Sequence, residues 1–180
     1  MNQFKSNFLK KVKTNDKDRA SKNAVRAALS RCKTYRSENP RDREKFRDDF
    51  REMVVNLSKE YSTSVSQSKH EINIVNISNV LSQKHGHILV NGRLRIGQAQ
   101  KALNLYLKYL WCLEHLEITP PNCPVDSIVL NGANLKGCLW THLDCIETYN
   151  SWCLSISKHA KVNGFASAQE WELQTWNANA

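Results

Sequence analysis

Residues 87–115 read HILVNGRLRIGQAQKALNLYLKYLWCLEH, and this stretch decides the fold class. Asn91-Gly92 stands between two short apolar runs, which is the strongest local signal for a β-hairpin and predicts one over residues 87–96. After Gly97 the apolar residues occupy nearly every side of a helical wheel, which predicts a long, central and largely buried helix. Because strands this short do not form a stable sheet by themselves, the hairpin must pack against helices.

Helical patterns dominate the chain on both sides of this stretch. The helices expected there cover Phe4–Val12, Lys17–Arg36, a segment that begins at Pro40, Glu71–Leu81, His142–Lys161 and a segment that begins after Ser167. The Ser/Thr-rich run between residues 62 and 68 is the clearest internal boundary. The sequence therefore predicts a mainly α protein, with a basic helical N-terminal region at residues 1–61 and a helical core carrying the hairpin at residues 62–180, packed together as one compact domain.

The positive charge of the chain is concentrated near its N-terminus. The sequence has a net charge of +9, from 26 Lys and Arg against 17 Asp and Glu. Residues 1–52 hold 16 of these cations and 8 of these acids, a balance of +8, and the other 10 and 9 leave +1 for residues 53–180. Such an asymmetry indicates a polyanionic partner. No apolar run is long enough to span a membrane, and the lysine-rich start lacks the apolar core of a secretion signal, so we expect a cytoplasmic protein.

A candidate phosphate-binding face lies on the first two expected helices. On a wheel of 100° per residue, the cations of the second helix fall within about 60° of one another, and its alanines fall on the far side. One face can therefore pack closely while the other presents a row of positive charge. The residues expected to bind nucleic acid here are Lys10, Lys11, Lys13, Arg19, Lys22, Arg26 and Lys33.

A second candidate patch surrounds the start of the central helix. Arg93 and Arg95 flank that start, and Lys101 follows one turn inside it. The N-terminus of a helix attracts anions because its first N–H groups are unpaired, so the single glycine there is either part of an anion site or only a joint. The polar residues of the helix fall on one line and complete a candidate groove. That groove consists of Gly97, Asn104, Lys108 and His115, with Lys101 on the same line. Burying an unpaired lysine is costly, so the line must meet water, a carboxylate or a ligand.

These features predict a nucleic-acid-binding protein that contacts the phosphates of DNA or RNA and needs no cofactor or resident metal. One alternative is a nucleic-acid-processing enzyme, nuclease-like and metal-dependent, that uses Asp126, Asp144, Glu147 and His142, although no motif identifies catalytic residues. Another is a module that binds a protein partner or a second copy of the chain through its alanine face or its tryptophans. Zinc bound by pairs such as Cys112 and His115 is a further alternative, although the spacings match no standard finger.

Overall fold

The computed structural model describes residues 2–179 and confirms a mainly helical protein. Within these residues there are eight α-helices, joined by loops and three short 3₁₀ turns, and no β-strand. The helices are α1 (Gln3–Lys11), α2 (Lys17–Leu29), α3 (Pro40–Ser58), α4 (Gln67–His85), α5 (Ile96–Cys112), α6 (Ser127–Gly132), α7 (Ile146–Val162) and α8 (Ala168–Asn179). None of the helices in this part of the chain has the length and apolar character needed to cross a bilayer.

Side-chain caps fix where most of these helices begin. Asp16 accepts a hydrogen bond from the backbone N–H of Arg19 at the start of α2, and Asn39 accepts one from Arg41 at the start of α3, which also has proline at its first position. Ser66 caps α4 in the same way. Caps of this kind pair N–H groups that have no partner within the helix. The expected starts of α2 and α3 are therefore confirmed.

Helix α5 is the centre of the fold, as the apolar pattern predicted. All 17 of its residues are buried, and α1, α2, α3, α4 and α7 pack around it. Its most extensive neighbour is α2, whose Ala20, Ala24 and Ala28 are fully buried. Alanine side chains are small enough to let two helix backbones approach closely. The cationic face of α2 is thereby turned outward, which positions the site described below.

The predicted β-hairpin over residues 87–96 is wrong, although its turn forms. Asn91 and Gly92 both have positive φ angles, 57° and 69°, as a tight Asn-Gly turn requires. The two arms do not pair with each other. Instead, Leu89 forms an isolated antiparallel bridge with Tyr35, and the backbone N–H of Leu94 donates to the Ser82 hydroxyl of α4. Other parts of the chain take up the hydrogen bonds that a hairpin would have used.

The same bridge explains why α2 is shorter than predicted. The expected helix ran to Arg36, but α2 ends at Leu29, because residues 34–36 are extended alongside residues 88–90. The N–H of Val90 donates to Thr34 O (2.9 Å) and the N–H of Arg36 donates to Ile88 O (2.9 Å). A consequence is that Lys33 lies beyond the helix and does not continue its cationic row.

Candidate nucleic-acid interface

A groove of about 950 Å³ runs between the N-terminal helices and a floor formed by α5, α6 and α8. Eight cations line it against two acids, so its surface is strongly positive. The cations are Lys11, Lys13, Arg19, Lys22, Arg26, Arg31, Lys101 and Lys108, and the acids are Asp126 and Glu172. The expected cation row of α2 and the expected lysines of α5 thus meet in one groove, which the sequence pattern alone treated as two patches.

The cations of α2 form one wall of this groove and are exposed to solvent. Arg19, Lys22 and Arg26 lie on the face opposite the buried alanines. Lys22 pairs with Asp18 at 2.7 Å, and Arg26 donates to the side-chain oxygen of Asn23 at 3.1 Å. Because both contacts are exposed, they restrain the side chains only weakly and leave them available to a ligand.

The end of α1 forms the adjoining wall and is held by α8. Lys11 Nζ donates to the backbone oxygen of Asn177 (2.6 Å), and the Asn177 amide donates to the backbone oxygen of Phe4 (2.9 Å). The Phe8 ring meets the Trp176 ring edge-on, with 5.0 Å between centroids. Lys13, just past the helix, has a positive φ of 50° and lines both this groove and a smaller one against residues 6–15. Lys10 lines only the smaller one.

The floor of the groove is electrically neutral, because each lysine there is paired with a carboxylate. Lys101 Nζ lies 2.5 Å from Asp126 Oδ2, and Lys108 Nζ lies 2.8 Å from the Glu172 carboxylate. All four side chains are largely or fully buried. The expectation that the polar line of α5 must meet water, a carboxylate or a ligand is met for both lysines by carboxylates of the chain itself.

The two floor carboxylates differ in how readily they ionise. Burial raises the pKa of Glu172, and the attraction of Lys108 opposes that rise only in part. Burial also acts to raise the pKa of Asp126, but Lys101 and the backbone N–H of Val129 outweigh it, so the pKa is lowered from its ordinary value. The Lys108 ammonium is further enclosed by the Phe8 ring, 4.0 Å away. The paired side chains of the floor therefore support the fold of the groove and do not act as free proton donors or acceptors.

The start of α5 has no unpaired N–H groups in the positions expected to hold an anion. The N–H of Gly97 donates to the backbone oxygen of Leu143 at 2.8 Å, and the N–H of Ile96 donates to the Asp144 carboxylate at 3.2 Å. Asp144 also pairs with Arg93 at 2.7 Å. The anion at this helix start is thus the chain's own Asp144, and the glycine acts as a joint. Gly97 is required for a close approach, because a Cβ there would lie 1.9 Å from Trp140 O.

The remaining residues of the two expected patches lie apart from the groove. Arg95 donates to the backbone oxygen of Thr141 (2.9 Å), beside the same joint. Asn104 is buried and donates to the Tyr149 hydroxyl at 2.8 Å. His115 is exposed beyond the end of α5, because the helix stops at Cys112 and Glu114 has a positive φ of 61°. His115 therefore does not lie on the same helix face as Lys101, Asn104 and Lys108, contrary to the helical-wheel prediction.

The acidic residues considered for catalysis are not brought together. Asp126 and Asp144 are held by different cations, and Glu147 is exposed and accepts a hydrogen bond from the Cys145 thiol at 2.9 Å. Within residues 2–179, no three His, Cys, Asp or Glu residues are grouped as they would be around a metal ion. The carboxylate set and the Cys/His set that the sequence suggested are thus not assembled as metal sites.

Comparison with protein-family models, curated proteins and solved structures finds no match to this chain. The sequence pattern identifies most of the groove's cations, but it misses Arg31 and Glu172, and it places Asp126 among possible catalytic acids rather than as the partner of Lys101. The signal for the carboxylates was present: a lysine on a helix that is apolar nearly all round needs an acidic partner.

Proposed function

We propose that this protein binds nucleic acid through phosphate contacts in the basic groove. The observation that carries the proposal is the distribution of charge within it. The floor lysines are neutralised by Asp126 and Glu172, so the excess charge belongs to the walls, where the side chains are exposed. A row of exposed cations above a neutral floor suits a chain of phosphates better than a single small anion, which would need a compact cluster.

Four of the wall cations, on α2 or just beyond it, are only weakly restrained. Arg19, Arg26 and Arg31 form no ion pair with any residue in the part of the chain that the structure describes, and Lys22 shares Asp18 with Arg51. Each phosphate that such a cation neutralises releases a counterion, so the affinity would fall steeply with salt. The enzyme alternative is less well supported, because the acids it would use are engaged as described above.

The test compares two triple variants with the same change of charge. Arg19→Gln, Lys22→Gln and Arg26→Gln together remove the α2 wall, whereas Lys136→Gln, Lys158→Gln and Lys161→Gln remove three exposed cations outside the groove. Binding of a labelled single strand and a labelled duplex would be measured by fluorescence anisotropy at two salt concentrations. We expect the wall variant to lose at least about tenfold in affinity, and to lose part of the salt dependence, while the control changes little.

Two outcomes would overturn this proposal. One is the absence of binding to either nucleic acid at low salt by the wild-type protein. The other is equal affinity of the wall variant and the control variant. Both variants should unfold like the wild type, because exposed charges contribute little to stability, and thermal unfolding would establish this before binding is compared.

A further inference from the structure

A second pocket, of about 390 Å³, lies between α2 and α3 on the other side of the cation row. Lys22, Arg26 and Ser30 line both this pocket and the basic groove. The outer face of α2 is therefore a ridge with a concave surface on each side. A ligand that contacts the ridge cations from the groove is within reach of the pocket.

The pocket combines an apolar interior with a basic rim. Val25, Leu29 and Tyr35 supply the apolar surface, and Arg47 and Arg51 add to the two ridge cations. Asp48 also lines it, and the neighbouring Asp18 binds Lys22 and Arg51 at 2.7 and 2.9 Å. The balance of these charges remains positive. Such a lining fits a flat, partly apolar group that is attached to a negative charge.

Tyr35 gives this pocket a fixed aromatic surface. Its backbone is held by the bridge to Leu89, and its ring packs edge-on against Phe46 with centroids 5.8 Å apart. The Arg43 guanidinium lies 4.8 Å from the ring centre. Burial raises the pKa of the Tyr35 hydroxyl, and the neighbouring Arg47 side chain opposes that rise only in part. The ring is thus held in place with arginine side chains beside it, and an aromatic surface of this kind is one on which a nucleic-acid base can stack.

We propose that the ligand of this protein is a single-stranded nucleic acid, whose backbone crosses the α2 ridge at Lys22 and Arg26 and whose unpaired base enters the pocket between α2 and α3. This inference rests on the proposed function and adds the class of nucleic acid. Bases in a duplex are stacked and paired, whereas those of a single strand can be turned outward against aromatic side chains. A base carries both a flat apolar face for Val25, Leu29 and the Tyr35 ring and polar edges for the arginines of the rim. The phosphate attached to its sugar lies where the rim is positive.

The deciding experiment uses an abasic strand, which keeps the phosphates but lacks the bases. Anisotropy would be measured for the full chain with four labelled probes of about 12 nucleotides: single-stranded DNA, single-stranded RNA, an abasic strand and a duplex. We expect one or both normal strands to bind about tenfold more tightly than the abasic strand and the duplex, because base stacking contributes to affinity and is lost in both. A polyglutamate of equal charge would compete weakly.

A matched pair of variants locates the effect. Leu29→Trp fills the pocket with a larger side chain, and Val162→Trp places the same side chain on an exposed position of α7. We expect the Leu29 variant to bind the normal strand only as well as the abasic strand and to leave abasic binding unchanged, with no effect of the control. Tyr35→Leu, which removes the aromatic ring from the pocket lining, should reduce the preference for the normal strand in part. That variant keeps the test decisive if the larger substitution prevents folding.

The outcomes separate this inference from the proposed function. Equal, salt-dependent binding of the normal and abasic strands would refute the base pocket and leave phosphate binding standing. Duplex binding as tight as strand binding, or polyglutamate competing as well as the strand, would also refute it. Absence of binding to all four probes would refute both proposals.

Discussion

The role of Gly97 as a joint makes a quantitative prediction for Gly97→Ala. The φ angle of this glycine is not in the left-handed region, so the backbone conformation itself would accept alanine. The obstacle is space: the new Cβ would lie 1.9 Å from Trp140 O and 3.3 Å from Leu143 Cβ. The turn that contains Trp140 must move away, and the 2.8 Å hydrogen bond from Gly97 N to Leu143 O lengthens or breaks with it.

The expected cost is the sum of these two effects. Overpacking a closely packed interior costs about 1–3 kcal/mol, and one lost hydrogen bond costs about 1 kcal/mol. The free energy of unfolding should therefore fall by about 2–4 kcal/mol, a large part of the 5–15 kcal/mol or so that holds an average domain together. For a chain of this size, the melting temperature should fall by roughly 4–16 °C.

Urea unfolding followed by circular dichroism measures this change, and Gly132→Ala is its control. A Cβ on Gly132 would meet only side-chain atoms, Thr175 Cγ2 at 3.2 Å and Trp171 Cζ2 at 3.3 Å, which can shift slightly. We expect the control to alter the free energy of unfolding by less than about 1 kcal/mol, because alanine also reduces the entropy of the unfolded chain. If Gly97→Ala were as stable as the control, the close approach to Trp140 would not be a constraint and the account of this joint would be wrong.

Two further predictions concern the groove floor. Glu172→Gln should lower the free energy of unfolding by about 3–5 kcal/mol, because it leaves the buried Lys108 charge without a carboxylate. The double change Lys108→Met with Glu172→Leu should recover most of that loss, as measured by urea unfolding. A double variant no more stable than the single one would contradict this. The pKa of Asp126 is lowered in the folded protein, because Lys101 outweighs the effect of burial. Its ionised form therefore stabilises the fold at pH values above the unfolded pKa, and that stability is lost as the pH falls through the folded pKa. Asp126→Asn keeps an N-cap for α6 but loses the charge, so the difference in free energy of unfolding between wild type and variant should shrink toward acid pH. A difference independent of pH would show that the ion pair between Lys101 and Asp126 does not stabilise the fold.

The helical part of the fold could be predicted from the sequence because its signals are local. The apolar pattern after Gly97 identified the central helix, and Asn39-Pro40 identified the start of α3. The hairpin was predicted wrongly for a non-local reason. The Asn91-Gly92 turn is encoded locally, but whether its arms pair depends on Tyr35 and Ser82, which are distant in sequence and offer competing hydrogen bonds.

The candidate site was predictable in its residue types but not in its arrangement. The wheel placed Arg19, Lys22 and Arg26 on one face correctly, because that face belongs to a single helix. It could not show that Lys101 and Lys108 lie beneath those cations, since this depends on how α2 packs on α5. Nor could it identify Asp126 and Glu172 as the partners of the lysines, because these acids follow Lys101 and Lys108 by 25 and 64 positions.

The hydrogen bonds between α1 and α8 have a consequence for the order in which the protein folds. The hydrogen bond from Asn177 to Phe4 joins residues 173 positions apart, and that from Lys11 to Asn177 joins residues 166 apart. Contacts so distant in sequence close large loops, and they form late because the entropy of closure is lost before the contact stabilises the chain. During synthesis, α1 emerges first but must wait for α8 to leave the ribosome before it can dock. The basic groove, whose wall includes the end of α1, should therefore be completed only after α8 has docked. A nascent chain would then carry the α2 cations well before it has a groove.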